Sequence, residues 1–234
     1  VPPDLVPVTV EKVAINAVMA GCKPEYLPWV LTAVQAACTD EFNIHGVLAT
    51  TMPVGPVIIC NGPGTRAIGM NSGINVLGQG NRANSTIGRA VQLTVRNVGG
   101  GRPGEVDRAT HGNPGKVSFC FAEDELNSPF TPLAQWRGMA PGTDAVTVFA
   151  GEGPRGMVDQ LARTPEELCL SLAASLKDAE DIRRLADLES GQRRQERQDA
   201  VAQRHLGRDR NGAPQHERDA VTAVSLPVSR ILER

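Results

Sequence analysis

Hydrophobic and polar positions change period along the chain, and each change marks an expected element. A proline-bearing lead-in occupies residues 1–8; Val10, Val13, Ala14, Ala17 and Val18 then fall on one face of a helix from Val10 to Ala20. Thr9 is a natural cap for it and Gly21 a natural stop. Pro24 opens a second amphipathic helix, Glu25 to about Cys38, so Cys22 lies in the joint between the two. Two strand-like runs follow, Gly46 to Thr51 and Val57 to Asn61, parted by the turn Pro53-Val54-Gly55-Pro56. From Gly62 to Asn84 the pattern dissolves into glycine and asparagine, then resumes as a helix from about Ser85 to Asn97. Glycines 99–101 with Pro103 and Gly104 break that helix, and a loop from Asp107 to Gly115 precedes an alternating strand, Lys116 to Ala122. Ala145 to Ala150 reads as a last strand and Glu166 to Leu176 as a last helix. The expected fold class is α/β: a mixed sheet flanked by helices, with a long Gly/Asn-rich loop region.

Beyond about Lys177 the character changes. Residues 177–234 hold 23 charged side chains in 58 positions, against 27 in the first 176, and the last aromatic residue is Phe149. Such a segment buries too little apolar surface to offset its ordering entropy. The expected organisation is therefore an α/β domain over 1–176 and a largely disordered tail over 177–234, with an exposed helix near Asp181 to Leu188.

Composition narrows the class further. Aromatics are only 3% of the chain, so the core must be built from Val, Ile, Leu and Ala. A net charge of -2 supplies no field for nucleic acid or an anionic membrane, and neither is an expected partner. The longest apolar runs, such as Val54 to Cys60, fall well short of the roughly 20 residues of a membrane span. The N-terminal stretch has no export pattern, so the expected compartment is the cytoplasm; an oligomer is left open. Cys22, Cys38, Cys60, Cys120 and Cys169 are odd in number and contain no CxxC pair, which argues against a disulfide framework or a zinc site.

The Gly/Asn stretch is the most suggestive chemistry. Both residue types reach left-handed backbone angles, so successive amides can turn inward as a nest for an anion, aided by the following helix N-terminus. Asn61, Asn71, Ser72, Asn75, Asn84 and Thr86 are the candidate polar contacts, with Arg89 as the charge holding an anionic small molecule. The bland alternative is a tightly turned connection whose asparagines satisfy their own backbone. Gly78 to Ala83 also fits a loose G-x-G-x-x-A dinucleotide pattern, but no acidic residue follows at the required distance. Cys22 precedes a helix start and adjoins Lys23, a setting that depresses a thiol pKa, against the alternative of an inert buried cysteine. His45 is placed as an acid or base at a strand start, and Glu123 as its counterpart. His111 with Glu123, Asp124 and Glu125 lacks any recognised metal spacing, so no metal is assigned, and the cofactor is left unknown.

Taken together, NAVMAGCKPEYLPWVLTAV, FNIHGVLATTMPVGPVIICNGP, GMNSGINVLGQGNRANSTIGRAVQL, NVGGGRPGEVDRATHGNPGK and SFCFAEDELNSPF resemble a poorly characterised bacterial family. Its members accompany, or are fused to, selenoprotein-like domains with a Sec-Gly-Ser-Cys or Cys-Gly-Ser-Cys (UGSC-type) motif. The resemblance covers about residues 8–175 and fades in the tail. It implies an oxidoreductase component, thiol- or selenol-dependent, working with a Sec/Cys-Gly-Ser-Cys partner. This chain has no Cys-Gly-Ser-Cys of its own, so the partner must bring that centre. Two other readings stand beside it: a hydrolase or lyase using His45 and Glu123, and a non-catalytic subunit holding a partner through the Met70 to Thr86 surface.

Overall fold

The computed structural model describes residues 1–177 and 223–231. Two compact units are present: Val1–Gly153 together with the C-terminal strand, and a second that begins at Pro154. The first unit opens with α1, Val10–Ala20, capped by the Thr9 hydroxyl, which accepts the Lys12 N–H at 3.3 Å. Gly21, at φ 92°, closes it: the Gly21 and Cys22 amides turn back onto the carbonyls of Val18 and Ala17, both at 2.9 Å. A 3₁₀ turn, Pro24–Tyr26, leads into α2, Leu27–Ala37. Next come α3, Ile44–Ala49; β1, Gly55–Asn61; α4, Pro63–Ala67; and α5, Arg82–Asn97. Then follow β2, Cys120–Ala122; α6, Leu133–Trp136; and β3, Ala145–Gly151.

The sheet is mixed, in the order β2-β1-β3-β4, where β4 is Val224–Pro227. β1 runs parallel to β2, with Ile58 opposite Cys120 and Cys60 opposite Ala122, and antiparallel to β3, with Cys60 opposite Val146. The parallel pair is joined by a crossover carrying α5, as a parallel pairing requires. Alternate strand positions, Ile58 and Cys60, Cys120 and Ala122, Val146 and Val148, belong to one core shared with Trp29, Val30 and Ala33 of α2 and Ile87, Val91 and Val95 of α5. α2 packs on β3 and β4, α5 on β2 and α2, and α1 lies across both helices. Few aromatics contribute, as the composition requires; Trp29 is the largest side chain in this core.

Three expectations change. The run Gly46 to Thr51 is not a strand, because Asn43 adopts a left-handed φ of 53° and its side chain caps the Gly46 amide at 3.1 Å. That starts α3 and turns Ile44, Val47 and Leu48 inward at helical spacing. The strand expected over Lys116 to Ala122 is only three residues long, because the Asn113 side chain accepts the Gly115 amide at 2.7 Å and winds Pro114–Lys116 into a 3₁₀ turn. Third, the tail is not wholly without structure. Val224–Pro227 adds an edge strand antiparallel to β3, and its Ser225 hydroxyl bonds Thr147 across the strands at 2.7 Å. The helix expected near Asp181 to Leu188 lies outside the described residues.

In the second unit, the helix α7 over residues 165–177 begins with a capping box. The Thr164 hydroxyl accepts the Glu167 amide at 3.2 Å while the Glu167 carboxylate accepts the Thr164 amide at 3.2 Å. The Arg163 amide first, and then these Thr164 bonds, hold the Glu167 carboxyl below its ordinary pKa.

Ile87 is fully buried where α5 meets the sheet. Ile87→Ala is expected to lower stability by about 2–5 kcal/mol through lost burial and a residual cavity. Urea unfolding followed by circular dichroism measures it; a loss under about 1 kcal/mol would mean that α5 does not close this core.

Candidate functional site

The carboxyl ends of the parallel strands carry acids held by an amide. Asn61, the last residue of β1, is 1% exposed, and its Nδ2 donates to Glu123 Oε2 and to Glu125 Oε1, each at 2.7 Å. Glu125 also accepts the Gly62 amide at 3.1 Å, and Glu123 the Leu133 amide at 2.8 Å, so both carboxylates anchor chain entering the next elements. Asp144 accepts the Gly64 amide at 2.7 Å. Gly62, at φ 97°, has to be glycine: a Cβ there would stand 2.5 Å from an Asp144 oxygen. Asn61 Oδ1 is buried without a hydrogen-bond partner among the described residues. Among the described residues no lysine or arginine pairs with Glu123, Glu125 or Asp144, so this end of the sheet is negative.

Directly beside it, the Gly/Asn stretch spends its asparagines on itself. Asn84, 3% exposed, accepts the Asn71 amide at 3.0 Å and donates to the carbonyls of Asn71 at 2.9 Å and Val76 at 3.1 Å. Asn71 accepts the Gly73 amide at 2.9 Å and donates to the Ile74 carbonyl at 2.9 Å. Asn81 caps α5 through the Asn84 amide at 3.0 Å. Asn75 sits at φ 56° and donates to Gln79 at 3.4 Å, while Ser72 is half-buried between these turns. The amides of Asn71 and Gly73 thus point at side-chain oxygens rather than converging on a shared anion position.

Cys22 and Thr86 meet away from that loop. The Cys22 thiol donates to the Thr86 carbonyl at 3.3 Å, the Thr86 hydroxyl to the Arg82 carbonyl at 2.8 Å, and Arg82 Nε to the Gly21 carbonyl at 2.8 Å. Burial pushes the Cys22 thiol above its ordinary range, opposite to the depressed value expected from its sequence setting. The element that follows is a single 3₁₀ turn rather than a long helix, and Lys23 leans toward Glu25 at 3.9 Å. His45 stands exposed on α3, and no hydrogen bond joins it to Glu123.

Arg89 belongs to a different feature. Arg89, Gln92, Leu93 and Arg96 share one stripe of α5 and line a trough of about 640 Å³. Its opposite wall is the chain from Gly101 to Val117, with Leu48 below. Arg96 has the Gly101 end and Arg89 the Val117 end: Gly101 packs on Leu48 and Val95, while the neighbouring Gly88 packs on Ser118. Midway, Lys116 packs near Gln92 and pairs with Asp107 at 2.8 Å, the two side chains only 14% and 13% exposed. Asp107 is the only acid lining the trough, so Arg89 and Arg96 face it with no carboxylate partner among the described residues. His111 lines it as well.

The structure thus joins Asn61 to Glu123, Asn71 to Asn84, and Cys22 to Thr86, and leaves Arg89 and His45 apart from all three. Sequence reading missed Arg96, Gln92 and the Asp107–Lys116 pair. The spacing 89, 92, 93, 96 within the expected helix was the available signal for the first two. Sequence reading weighed Glu125 only as a metal ligand with His111, not as a partner of Asn61, and it missed Asp144, which topology brings beside Gly64 with no local motif to announce it.

No protein-family model, curated protein or solved structure matches the chain. Among the described residues no three histidine, cysteine or acidic side chains are grouped to hold a metal ion, and no helix is long and apolar enough to cross a membrane.

Because the thiolate is the reacting form, a raised pKa leaves Cys22 less thiolate at pH 8 than a free thiol. Iodoacetamide is expected to label exposed Cys169 well before Cys22, read by peptide mass spectrometry. Cys22 labelled first would overturn the inert reading.

Proposed function

We propose that this chain is the ligand-holding subunit of an enzyme acting on an anionic small molecule, with a Sec/Cys-Gly-Ser-Cys partner contributing the thiol or selenol centre. One observation carries the first part: Arg89 and Arg96 line a common trough whose single carboxylate among the described residues, Asp107, is already paired with Lys116. A guanidinium gains most from a planar oxyanion, which it meets with paired hydrogen bonds. The Gly/Asn loop is the poorer place for an anion, since its Asn71 and Gly73 amides are taken by side-chain oxygens and Glu123, Glu125 and Asp144 lie alongside.

The second part rests on the resemblance of the linked motifs and on the state of this chain's own thiols. Cys22, Cys38 and Cys120 are all pushed above the ordinary thiol range: burial dominates at the first two, and at Cys120 the bond to Cys60 leads, with burial adding to it. Such groups are poor nucleophiles near neutral pH, which favours a partner that brings the reactive sulfur or selenium.

A second reading has its own support. The paired carboxylates Glu123 and Glu125 lie outside the carboxyl ends of parallel strands, where open α/β sheets commonly hold ligands. There they suit acid–base chemistry of a hydrolase or lyase, without a thiol role.

Native mass spectrometry of the chain with a Cys-Gly-Ser-Cys protein, followed by turnover assays, separates the two. The first reading expects a stoichiometric complex whose turnover falls at least about tenfold in Arg89→Gln, the loss of one charge-assisted contact, and is little changed in Glu123→Gln. The second expects the reverse pattern and activity without the partner.

A further inference from the structure

The trough has positive charge at both ends and no net charge in the middle, and this arrangement specifies its ligand more narrowly than "anionic". Arg89 and Arg96 are seven residues apart on α5, so their backbones are separated by about 10 Å along the axis. Between them the same stripe presents Gln92 and Leu93, an amide and an apolar side chain. The facing wall repeats the pattern. Its central charges, Lys116 and Asp107, cancel one another at 2.8 Å, and Val117 and Pro103 supply apolar surface. A single compact anion engages one guanidinium and leaves the other unpaired. A bare apolar molecule leaves both unpaired.

We propose that the trough binds a two-headed anion, an α,ω-dicarboxylate or a molecule built like one, with one carboxylate on Arg89 and the other on Arg96. A short methylene or similarly uncharged spacer lies along Leu93 and Gln92. This deepens the anion-binding reading above and rests on it. Each carboxylate takes paired N–H bonds from a guanidinium, and the spacer removes apolar surface of Val117 and Pro103 from water. Both arginines retain solvent access, so exchanging them leaves the core packing of α5 untouched.

Isothermal titration of the full chain with succinate, adipate, suberate, hexanoate and inorganic phosphate tests this. The expected result is an optimum in the dicarboxylate series, with adipate or suberate binding at least about tenfold more tightly than hexanoate or phosphate, the value of one further charge-assisted contact. Arg89→Gln and Arg96→Gln should each bring the preferred dicarboxylate down to the level of hexanoate, and the double variant should abolish binding. Equal binding of phosphate and suberate, lost only in Arg89→Gln, would overturn the two-headed site while leaving a simple anion site in place. Absence of binding by any of the five, in a chain shown by circular dichroism to be folded, would overturn the two-headed site and remove the support for the anion reading as well.

Discussion

The close approach of α5 to β2 is the constraint on which the rest of the first unit depends. It passes through Gly88, where a Cβ would stand 2.5 Å from the Ser118 hydroxyl and 3.1 Å from the Cys120 side chain. Any larger residue there lifts the helix from the strand. With glycine, the Ser118 hydroxyl reaches the Ser85 carbonyl at 2.8 Å, pinning the first turns of α5 to the chain entering β2. One placement then settles three faces at once. Ile87, Val91 and Val95 enter the core, Asn84 organises the loop before the helix, and Arg89 and Arg96 are left along the trough. Ridges cut by helical periodicity separate these roles with no further specification.

That placement also divides the charge of the unit between opposite ends of the sheet. Lys116 packs on Gly55 at the start of β1, while Asn61 and its carboxylates lie at the end of the same strand. Six strand steps are about 20 Å, roughly twice the screening length at physiological salt, so the acidic end and the arginine trough hardly sense each other. Each is a local electrostatic problem. At the acidic end the carboxylates accept backbone N–H groups and one shared asparagine amide, which ties three loops together with no cation among the described residues. In the trough, Arg89 and Arg96 have no carboxylate partner among the described residues.

What could be read from the sequence follows from which interactions are local. α5 was legible because its burial repeats with the helical period, β1 and β3 as short, almost continuously apolar runs, and α1 because Thr9 and Gly21 mark its ends, although Val10 and Val18 of its expected apolar face are exposed. Gly46 to Thr51 misled because a short apolar run does not distinguish strand from helix, and the deciding feature was one asparagine in a left-handed turn. β4 was hidden by the charged sequence preceding it; its partner β3 supplies the ladder that the segment lacks alone. At the site, residue types were legible but not groupings. Arg89 was read as a ligand contact, yet its assignment to the Gly/Asn loop ignored that a helix directs residues 84 and 89 to different faces. The sign of the Cys22 shift was beyond local reading altogether, since it depends on burial against α5, more than sixty positions away.

The buried pair at the centre of the trough bears on selectivity. Lys116 and Asp107 are too enclosed for either to stand alone, since an isolated charge at that depth costs far more than the pair. A ligand head group competing for Lys116 therefore has to leave Asp107 unpaired, whereas one bound at Arg89 or Arg96 disturbs nothing. The pair thus acts as a neutral partition. It directs negative charge to the two ends of α5's outer stripe and disfavours it between them, so the spacing of the arginines, rather than the total positive charge, is what the trough can discriminate.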